Sequence, residues 1–598
     1  MFGVALISLG LVGFEPAPLP PVPEWSGASE ALAVAPEDPL ATPVERSGFR
    51  DTPSYDVTVQ WLRQLDVARP EIEMRSLGKS GEGRDLWMVV ASRERDKSPE
   101  SLQRSGKPIV LVQAGIHAGE IDGKDAGLMM LRDMTVRGTA ARLLEEVHLL
   151  LIPIFNVDGH ERSSPWNRMN QRGPSTPGWR TTARNLNLNR DYAKADAPEM
   201  RHLLQAIERW RPDLYVDVHV TDGADYRYDV TYGWNDREAW SPAIAGWLDA
   251  VLRPAVDGAL ERLGHAPGPL VLTVDPQDPS RGMYGWIAGP RYSNGYGDAR
   301  HLPTVLVENH SLKPFRQRVL GTRVLLEAVL GVVAREHGSL RAAISQDRAR
   351  REPEIVTAWN DQPAANPTTI PFDGIAWRHE DSPVSGGKRL VYTGEPASLD
   401  MPILEPSGPA ASVRRPPAYW IPGQWDEIID RLALHGIRMD RLTGPRAVQM
   451  DMYRIDNPDL SDNAYEGRVT VQGAPRVERR TEILPAGSAR VPTDQPLGTL
   501  AMLLLEPSSP DSFFRWGFFL EILQRTEYFE PYVMEALGAR MLADDAALRA
   551  AFEKRLAADS AFAADPDARL RWLYDRSPYH DDRFRLYPVG REIPAAAP

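Results

Sequence analysis

The sequence predicts an α/β protein with a mixed, mostly parallel sheet flanked by helices, followed by a β-rich accessory region and a helical C-terminal region. Three observations support this prediction. Between residues 51 and 345, short apolar β-branched runs alternate with segments of helical periodicity. Residues 372–500 carry many Pro and Gly residues and short strand-like runs such as Arg468–Gln472. From Phe513 to Ala558 the chain is dense in Leu, Phe, Ala and Glu with few breakers, which indicates helix.

Length and composition restrict the classes of function. A chain of 598 residues exceeds what one hydrophobic core usually organises, so several domains are expected. Its 42% hydrophobic and 25% charged residues are typical of a globular protein. A net charge of -13 would repel a phosphate backbone, so we predict no nucleic-acid partner. Because the chain has no cysteine, any metal must be bound by His, Asp or Glu.

The N-terminus resembles a secretory signal. The apolar run Phe2–Phe14 is shorter than the roughly 20 residues of a spanning helix, so we predict export, secreted or periplasmic, without a stable membrane span. No Lys or Arg precedes the run, which leaves a buried N-terminal strand or a misassigned start as alternatives. Residues 15–50 are rich in Pro, Ala and acidic side chains, and they predict a linker or prosegment-like arm with structure beginning near Tyr55.

The predicted organisation therefore has four parts. Residues 1–50 form the signal and N-terminal linker, and residues 51–345 form the α/β domain. A basic cluster at residues 348–351 and a Pro-rich segment at residues 353–371 mark the next boundary. Residues 353–500 are then the β-rich accessory region, and residues 501–598 the mainly helical C-terminal region.

Ionisable residues follow three of the predicted strands of the α/β domain. His117 and Glu120 lie in the turn between a strand and the helical pattern Ile121–Arg132. His219 and Glu308 each close a later strand. Ligands bind outside the carboxyl ends of strands in open α/β sheets, so these side chains are expected to converge on one rim. The predicted strands are Ile109–Val112, Val147–Phe155, Leu214–Val218 and Thr304–Val307.

Convergence of these side chains predicts a zinc site. Two imidazoles and one carboxylate leave the fourth position of zinc open for water, which is the catalytic arrangement. We therefore predict one zinc ion per chain, bound by His117, Glu120 and His219. A second, unligated carboxylate, that of Glu308, can take the proton of the zinc-bound water. Each residue alone is more often structural, and only the joint pattern indicates a metal centre.

Further motifs lie between the two ligand segments. These are Asn156-Val-Asp-Gly159 and Asn185-Leu-Asn-Leu-Asn189-Arg190-Asp-Tyr192. In this order, with the ligand motifs around them, they resemble the zinc carboxypeptidase family, which includes carboxypeptidase A. The His, His, Glu zinc site of carboxypeptidase A is itself a known example of this ligand set. The resemblance runs from His117 to Lys313 and does not reach the C-terminal part of the chain.

The resemblance implies a zinc carboxypeptidase-like fold and a role for each matching residue. His117, Glu120 and His219 correspond to the zinc ligands and Glu308 to the general base. Asn189 and Arg190 correspond to the pair that binds the terminal carboxylate of the substrate. A planar guanidinium binds a carboxylate bidentately, which fits that role. The alternative for Arg190 is a surface ion pair with Asp191 or Asp196.

Two family roles have more than one candidate in this sequence. The arginine that polarises the scissile carbonyl corresponds to Arg168 or Arg172, and we rank Arg168 first. The mobile substrate-binding tyrosine corresponds to Tyr284, Tyr292 or Tyr296, of which we select the last two. Each of these tyrosines has a role in the core as its alternative.

One position departs from the family pattern. In the family, a carboxylate residue two positions before the asparagine that corresponds to Asn189 commonly orients the first zinc histidine. In this sequence that position is Asn187. Its amide oxygen can still accept a ring N–H but adds no negative charge. A less basic zinc-bound imidazole is the expected consequence.

The resulting hypothesis is a metallocarboxypeptidase that acts on peptide substrates with a free C-terminal carboxylate. Glu308 would activate the zinc-bound water and then protonate the leaving amine. One alternative is a zinc amidase or deacylase acting on cell-wall peptides or amino-acid conjugates, which would keep zinc and Glu308. The other is a non-catalytic binding protein with a relic metal site. The presence of both Glu120 and Glu308 disfavours this second alternative.

Overall fold

A computed structural model of the chain describes residues 18–360, 363 and 367–594. The apolar run Phe2–Phe14 lies outside the described residues. Within the described residues, no helix combines the length and apolar character that a membrane span requires.

An eight-stranded mixed sheet forms the centre of the α/β domain. Its spatial order is β1-β2-β4-β3-β5-β9-β6-β7. The pairs β3–β4, β3–β5, β5–β9 and β6–β7 are parallel, and the pairs β1–β2, β2–β4 and β6–β9 are antiparallel. The predicted mixed, mostly parallel sheet is therefore confirmed. The strands of the first half of the chain are β1 Ile72–Lys79, β2 Asp85–Ala91, β3 Ile109–Ala114, β4 His148–Ile152, β5 Leu214–Val220, β6 Val230–Gly233, β7 Pro267–Gly268, β8 Met283–Tyr284 and β9 Thr304–Asn309.

Helices cover both faces of this sheet. Side chains alternate between the faces along each strand, so Val110 and Val112 of β3 join the core that α4 and α11 cover. Ile109 and Leu111 join the opposite core, which contains α7 and residues of the C-terminal half such as Leu503. Burial on both faces explains why these strands are continuously apolar. The helices are α1 Pro43–Arg46, α2 Tyr55–Ala68, α3 Pro99–Arg104, α4 Asp122–Met134, α5 Leu143–Glu146, α6 Val157–Glu161, α7 Pro198–Trp210, α8 Pro242–Trp247, α9 Arg253–Arg262, α10 Ser293–Ala299 and α11 Phe315–Ala349.

Short single turns supplement the helices of the α/β domain. Three are 3₁₀ turns, and a π-helical turn joins α8 to α9. The 3₁₀ turn Leu188–Arg190 contains the predicted clamp residues. The others are Ala28–Leu32, Leu248–Leu252 and Pro279–Arg281.

Beyond α11 the chain forms the predicted β-rich and helical regions. The strands are β10 Glu354–Trp359, β11 Thr368–Asp381, β12 Lys388–Leu404, β13 Pro409–Arg414, β14 Ala418–Ile421, β15 Asp440–Arg441, β16 Arg446–Leu460, β17 Val471–Leu484, β18 Ala489–Pro492 and β19 Gly590–Glu592. The helices are α12 Asp426–Leu434, α13 Gly498–Leu505, α14 Pro531–Asp544, α15 Ala546–Ala558, α16 Ser560–Ala564 and α17 Pro566–Tyr574, with a 3₁₀ turn at Leu520–Leu523.

Residues 513–530 are mostly turns, contrary to the predicted helix from Phe513 to Ala558. Phe513, Trp516 and Phe519 are all fully buried there. An aromatic segment that is buried on every side shows no amphipathic periodicity, so its composition alone does not define a helix. The long helices begin only at Pro531.

Regular structure also begins earlier than the predicted start at Tyr55. The arm around α1 is docked, because both carboxylate oxygens of Glu45 accept hydrogen bonds from Arg132 Nη1, at 2.7 and 2.6 Å. The indole of Trp25 donates to the carbonyl of Gly264 at 2.8 Å. Both contacts reach more than 80 residues along the chain, so local composition could not reveal them.

Acid sensitivity is expected from a buried histidine between the two halves. His435 follows α12, where its Nε2 donates to the Ala193 carbonyl at 3.0 Å and its Nδ1 accepts from the Tyr296 hydroxyl at 2.9 Å. Burial lowers the pKa of His435 to about 3. Below about pH 6.5 the unfolded chain binds a proton that the folded chain does not, so stability is lost as the pH falls from 6.5 towards 3.

We therefore expect the His435→Gln variant to lose less unfolding free energy than wild type between pH 7 and pH 5. The difference should be about 2 kcal/mol for one histidine. Urea unfolding at the two pH values measures it. His337→Gln, at a half-buried position of α11, is the matched control and should keep the wild-type pH dependence. Equal pH dependence in His435→Gln and wild type would contradict the prediction.

Candidate metal centre

The predicted ligands converge at the carboxyl ends of β3, β5 and β9. His117 and Glu120 lie in the loop from β3 to α4, which opens at Gly115 with φ +68°, a left-handed conformation suited to glycine. His219 lies near the end of β5. It is paired directly with Glu308 of β9, because the two parallel strands are in register there.

Three ligand atoms lie close together at this rim. His117 Nδ1 is 2.9 Å from Glu120 Oε1, and His219 Nδ1 is 3.0 Å from Glu120 Oε2. All three residues are buried, and one ligand atom from each lies within 4.8 Å of the others. Two ring nitrogens and one carboxylate form the donor set of an open zinc site. The residues present therefore fit a zinc ion.

The outer ring nitrogens support this interpretation. His117 Nε2 lies 3.0 Å from Asn187 Oδ1, and His219 Nε2 lies 2.8 Å from Asp217 Oδ2. Asn187 Oδ1 also accepts the Asn189 N–H at 2.9 Å, so this atom acts as an acceptor. With a metal ion at the Nδ1 atoms, these acceptors would hold the ring protons on Nε2. The Nδ1 lone pairs are then free to bind a metal.

Charges around the ligands also favour a cation. Burial lowers the pKa of His117 to about 4, so its ring is neutral and able to ligate. Burial opposes protonation of His219, but Asp217 and Glu120 outweigh it and raise the pKa of His219 well above its usual value. A bound cation would displace that proton. The Glu120 carboxylate is also 3.0 Å from Arg168 Nη1.

Glu308 offers a carboxyl group next to the ligand group. Its Oε2 is buried and has no hydrogen-bond partner among the described residues. Burial raises the pKa of Glu308 to about 8, while the positive charge of His219 opposes the shift. A bound cation would add to that opposing effect. An unpaired oxygen next to a water-activating site can accept a proton.

Asn189 and Arg190, the predicted carboxylate clamp, line the same cavity as the ligand group and Glu308. Arg190 lines it, and its guanidinium packs over the ring of Tyr292 at 4.4 Å from the ring centre. Arg190 Nη1 donates to the Asn189 carbonyl at 2.7 Å. Asn189 Oδ1 accepts the Ser293 N–H at 3.2 Å. These contacts hold the clamp in place at the cavity wall.

Neither acidic neighbour of Arg190 forms the ion pair proposed as its alternative role. Asp191 is buried and accepts hydrogen bonds from Lys194 and two backbone N–H groups. Asp196 accepts two hydrogen bonds from Arg468, both at 2.7 Å. The structure thus shows Arg190 facing the cavity rather than a surface carboxylate.

The two predicted carbonyl-polarising arginines occupy different places, and neither lines the cavity. Arg168 bonds Gln171 and contacts Glu120, so it supports a metal ligand. Arg172 points away, donating to the carbonyls of Leu312 at 2.8 Å and Pro20 at 2.6 Å. The assignment of Arg172 to the site is therefore corrected, because backbone acceptors on the far side of its loop hold its guanidinium.

Arg180 is one of two cavity arginines, with Arg291, that the sequence did not predict. It lines the cavity with its Nη1 at 3.4 Å from Glu120 Oε1. It belongs to the same connecting segment, nine residues before Asn189, but its spacing alone does not distinguish it from Arg168 or Arg172. A close approach of two glycines holds it there, because a Cβ on Gly178 would lie 2.7 Å from the Ala118 carbonyl oxygen and one on Gly119 would lie 2.7 Å from the Gly178 oxygen.

The three candidate tyrosines differ in whether they line the cavity. Tyr292 lines the cavity and forms an edge contact with Trp286 at 4.6 Å between ring centres. Tyr284 lines it too and is 47% exposed. Tyr296 does not line it, so its assignment as substrate-binding is corrected. It is 1% exposed because α10 turns its side chain into the core, where its hydroxyl contacts His435 and Arg300.

The C-terminal half completes the cavity, whose volume is ≈ 830 Å³. Arg291, next to Tyr292, forms an ion pair with the buried Asp511. Trp240 Nε1 donates to the Val356 carbonyl of β10 at 3.0 Å. The lining residues from beyond α11 are Thr357, Ala358, Trp359, Asn360, Pro363, Leu404, Pro406, Ser509, Pro510 and Asp511.

A mixed α/β sheet that presents an open His, Glu, His group beside a free carboxyl and cavity arginines is the arrangement of a metal-dependent hydrolase. Residues 58–242 match the family model described as zinc carboxypeptidase. This match confirms the resemblance inferred from the motifs. Residues 58–242 are therefore similar to a zinc-carboxypeptidase domain, and the chain is a peptidase.

Individual proteins are also similar to this chain. Carboxypeptidase 2 of Trichophyton rubrum is 24% identical over 495 residues, which cover 79% of this chain and 85% of the relative. Carboxypeptidase 2 of Trichophyton tonsurans is 25% identical over the same shares. The solved structure of a metallo-carboxypeptidase from Pseudomonas aeruginosa is 18% identical and covers 48% of this chain and 70% of its own, with a TM-score of 0.36.

The glycine contact beneath Arg180 can be tested by adding one methyl group. Gly178→Ala would press its Cβ against the backbone of Ala118 and Gly159, which cannot rotate away. We expect a loss of about 1–3 kcal/mol of unfolding free energy, measured by urea unfolding. Gly338→Ala is the control, because a Cβ there meets nothing within 4 Å in the middle of α11. It should stabilise the chain by about 0.5–1 kcal/mol. Similar effects of the two changes would refute the close approach.

Proposed function

We propose that the protein is a zinc-dependent metallocarboxypeptidase that removes C-terminal residues from peptides. The observation that carries the proposal is one cavity lined by three kinds of group. These are the His117, Glu120 and His219 ligand group, the unpaired carboxyl of Glu308 and the guanidinium of Arg190. The ligand group and Glu308 provide hydrolysis, and Arg190 selects substrates with a terminal carboxylate.

Within this proposal each side chain has a defined task. A zinc ion bound by the ligand group, one per chain, would supply Lewis-acid activation of water. Glu308 accepts the water proton at its free Oε2 and returns it to the leaving amine. Arg180, beside Glu120, can stabilise negative charge that develops on the scissile carbonyl oxygen. Arg190 and Asn189 bind the terminal carboxylate, with Tyr292 supporting the guanidinium.

Export and domain organisation form part of the same proposal. The apolar run Phe2–Phe14 supports a secreted or periplasmic peptidase. We place the catalytic domain at residues 51–345, the β-rich accessory region at 353–500 and the helical region at 501–598. The change from α11 to consecutive strands at Glu354 supports the first of these boundaries.

Replacing a zinc ligand and replacing the proposed general base should have different effects on the zinc content of the protein. His219→Ala removes one of three protein ligands, so the purified variant is expected to contain little zinc. Glu308→Gln keeps all three ligands, so zinc should remain while turnover falls by roughly 10² or more. Metal analysis and peptide hydrolysis are measured on the same preparations.

His337→Gln again serves as the control, because the residue lies on α11 away from the cavity. It should retain zinc and turnover. Full zinc occupancy in His219→Ala would reject the ligand assignment. Turnover close to wild type in Glu308→Gln would remove that residue from the mechanism.

Arg190→Ala distinguishes a carboxypeptidase from an amidase or deacylase. Loss of a charge-assisted pair with the substrate costs roughly 2–5 kcal/mol, so kcat/KM for a free-acid peptide should fall by about 30-fold to several thousand-fold. The amidated peptide never forms that pair and should lose far less. Arg190→Lys should recover activity only in part, since an ammonium lacks the bidentate geometry.

The matched control is Arg172→Ala, because Arg172 lies near the site in sequence but points away from the cavity. It should not change the ratio of the acid and amide rates. Equal losses on both substrates in Arg190→Ala would assign that residue a structural role and favour the amidase alternative.

A further inference from the structure

The two histidines of the metal centre have unequal outer partners. The outer nitrogen of His219 contacts a carboxylate, that of Asp217, whereas the outer nitrogen of His117 contacts only the neutral amide of Asn187. A carboxylate partner raises the basicity of a ligating imidazole more than an amide does. Asn187 therefore supports the ligating ring of His117 less than Asp217 supports that of His219.

A carboxylate from the C-terminal half lies behind the His117 side. Glu466 Oε2 accepts the backbone N–H of Asn187 at 2.8 Å. The two residues are 279 positions apart in the sequence. A hydrogen bond to a charged acceptor is stronger than one to a neutral acceptor. Glu466 therefore holds the backbone of the residue whose side chain orients His117.

The turn that carries Glu466 is held by one contact within the C-terminal half and one with the catalytic domain. Glu466 itself has φ +49°, a conformation that a non-glycine residue adopts only when its surroundings impose it. On one side, Tyr465 stacks on Trp516 at 5.8 Å between ring centres. On the other side, Arg468 forms a bidentate pair with Asp196, with both distances 2.7 Å.

Close packing adds to these anchors. A Cβ on Gly467 would lie 2.9 Å from the Leu186 side chain, so the turn touches the segment next to Asn187. Asp196 follows the same segment along the chain and also contacts Arg431 at 3.1 Å. The turn of residues 465–468 thus contacts the chain before Asn189 and Arg190, at Leu186 and Asn187, and after them, at Asp196.

We propose that Glu466 is a positioning residue of the metal centre, supplied by the C-terminal half. It fixes the Asn187 backbone so that Oδ1 meets His117 Nε2, and it adds the negative charge that the amide lacks. The inference rests on the proposed zinc site. It assigns a role in metal binding to a region that lies outside the family match at residues 58–242.

Zinc affinity of the full-length protein, measured by chelator competition, tests this role. Glu466→Ala removes both the hydrogen bond to the Asn187 backbone and the negative charge. It should weaken zinc binding by about 10-fold, the lower end of the range for outer partners of metal ligands. Glu466→Gln keeps an acceptor and should weaken it less. Adding Asn187→Asp to Glu466→Gln puts a carboxylate on His117 directly and should restore the affinity. A purely structural role would not produce this rescue.

Two further measurements extend the test, and the first of them does not depend on activity of the zinc-loaded enzyme. Hydrogen exchange of the metal-free protein should show faster exchange of the Asn187 N–H in Glu466→Ala than in wild type. The KM for a free-acid peptide at saturating zinc should not change, because Glu466 does not line the substrate cavity. Asp462→Asn, an exposed acidic position in the same loop, is the control and should behave as wild type.

The outcomes separate this inference from the proposed function. Wild type without measurable zinc binding would reject the zinc site and this inference with it. If wild type binds zinc and both Glu466→Gln and Glu466→Ala bind it as tightly as wild type, only the role of Glu466 is overturned. If Glu466→Ala fails to fold, the nearly isosteric Glu466→Gln and its Asn187→Asp rescue decide the question.

Discussion

The rest of the site depends on one buried carboxylate, that of Glu120. Its two oxygens contact the Nδ1 atoms of His117 and His219, which belong to different chain segments. Arg168 and Arg180 reach the same carboxylate from a third segment. An unpaired buried carboxylate would be costly, so these cationic and N–H groups must gather around it. The same arrangement brings the ligand atoms to the spacing that a metal ion requires.

Parallel strand register provides the frame for that carboxylate. Pairing of β5 with β9 places His219 beside Glu308, and the loop after β3 brings His117 to the same rim. This part could be predicted from the sequence because each ionisable residue directly follows an apolar run. Strands β3, β5 and β9 start at their predicted residues and each end two residues later than predicted, whereas β4 covers only His148–Ile152 of the predicted Val147–Phe155. Local pattern was sufficient where function depends on strand ends.

Local pattern was insufficient where a side chain's direction depends on distant contacts. Arg168, Arg172 and Arg180 lie in one loop region, and nothing in their spacing tells which faces the cavity. Backbone carbonyls of Leu312 and Pro20 turn Arg172 away. Close backbone contact at two glycines keeps Arg180 near the ligands. Tyr296 follows the same rule, since its hydroxyl contacts His435, which lies 139 residues away along the chain.

The position of the C-terminal half relative to the cavity also could not be predicted from local sequence pattern. Composition predicted its strands and helices, but it could not show that they close a cavity formed by the first half. Beside the apolar core that the two halves share, the contacts at the cavity include ionic and polar ones, as between Arg291 and Asp511 or Trp240 and Val356. Such contacts form only when both surfaces are already shaped, so they leave no periodic trace in the sequence. The cavity is therefore a property of the assembled chain, and residues 51–345 alone would present an open and incomplete wall.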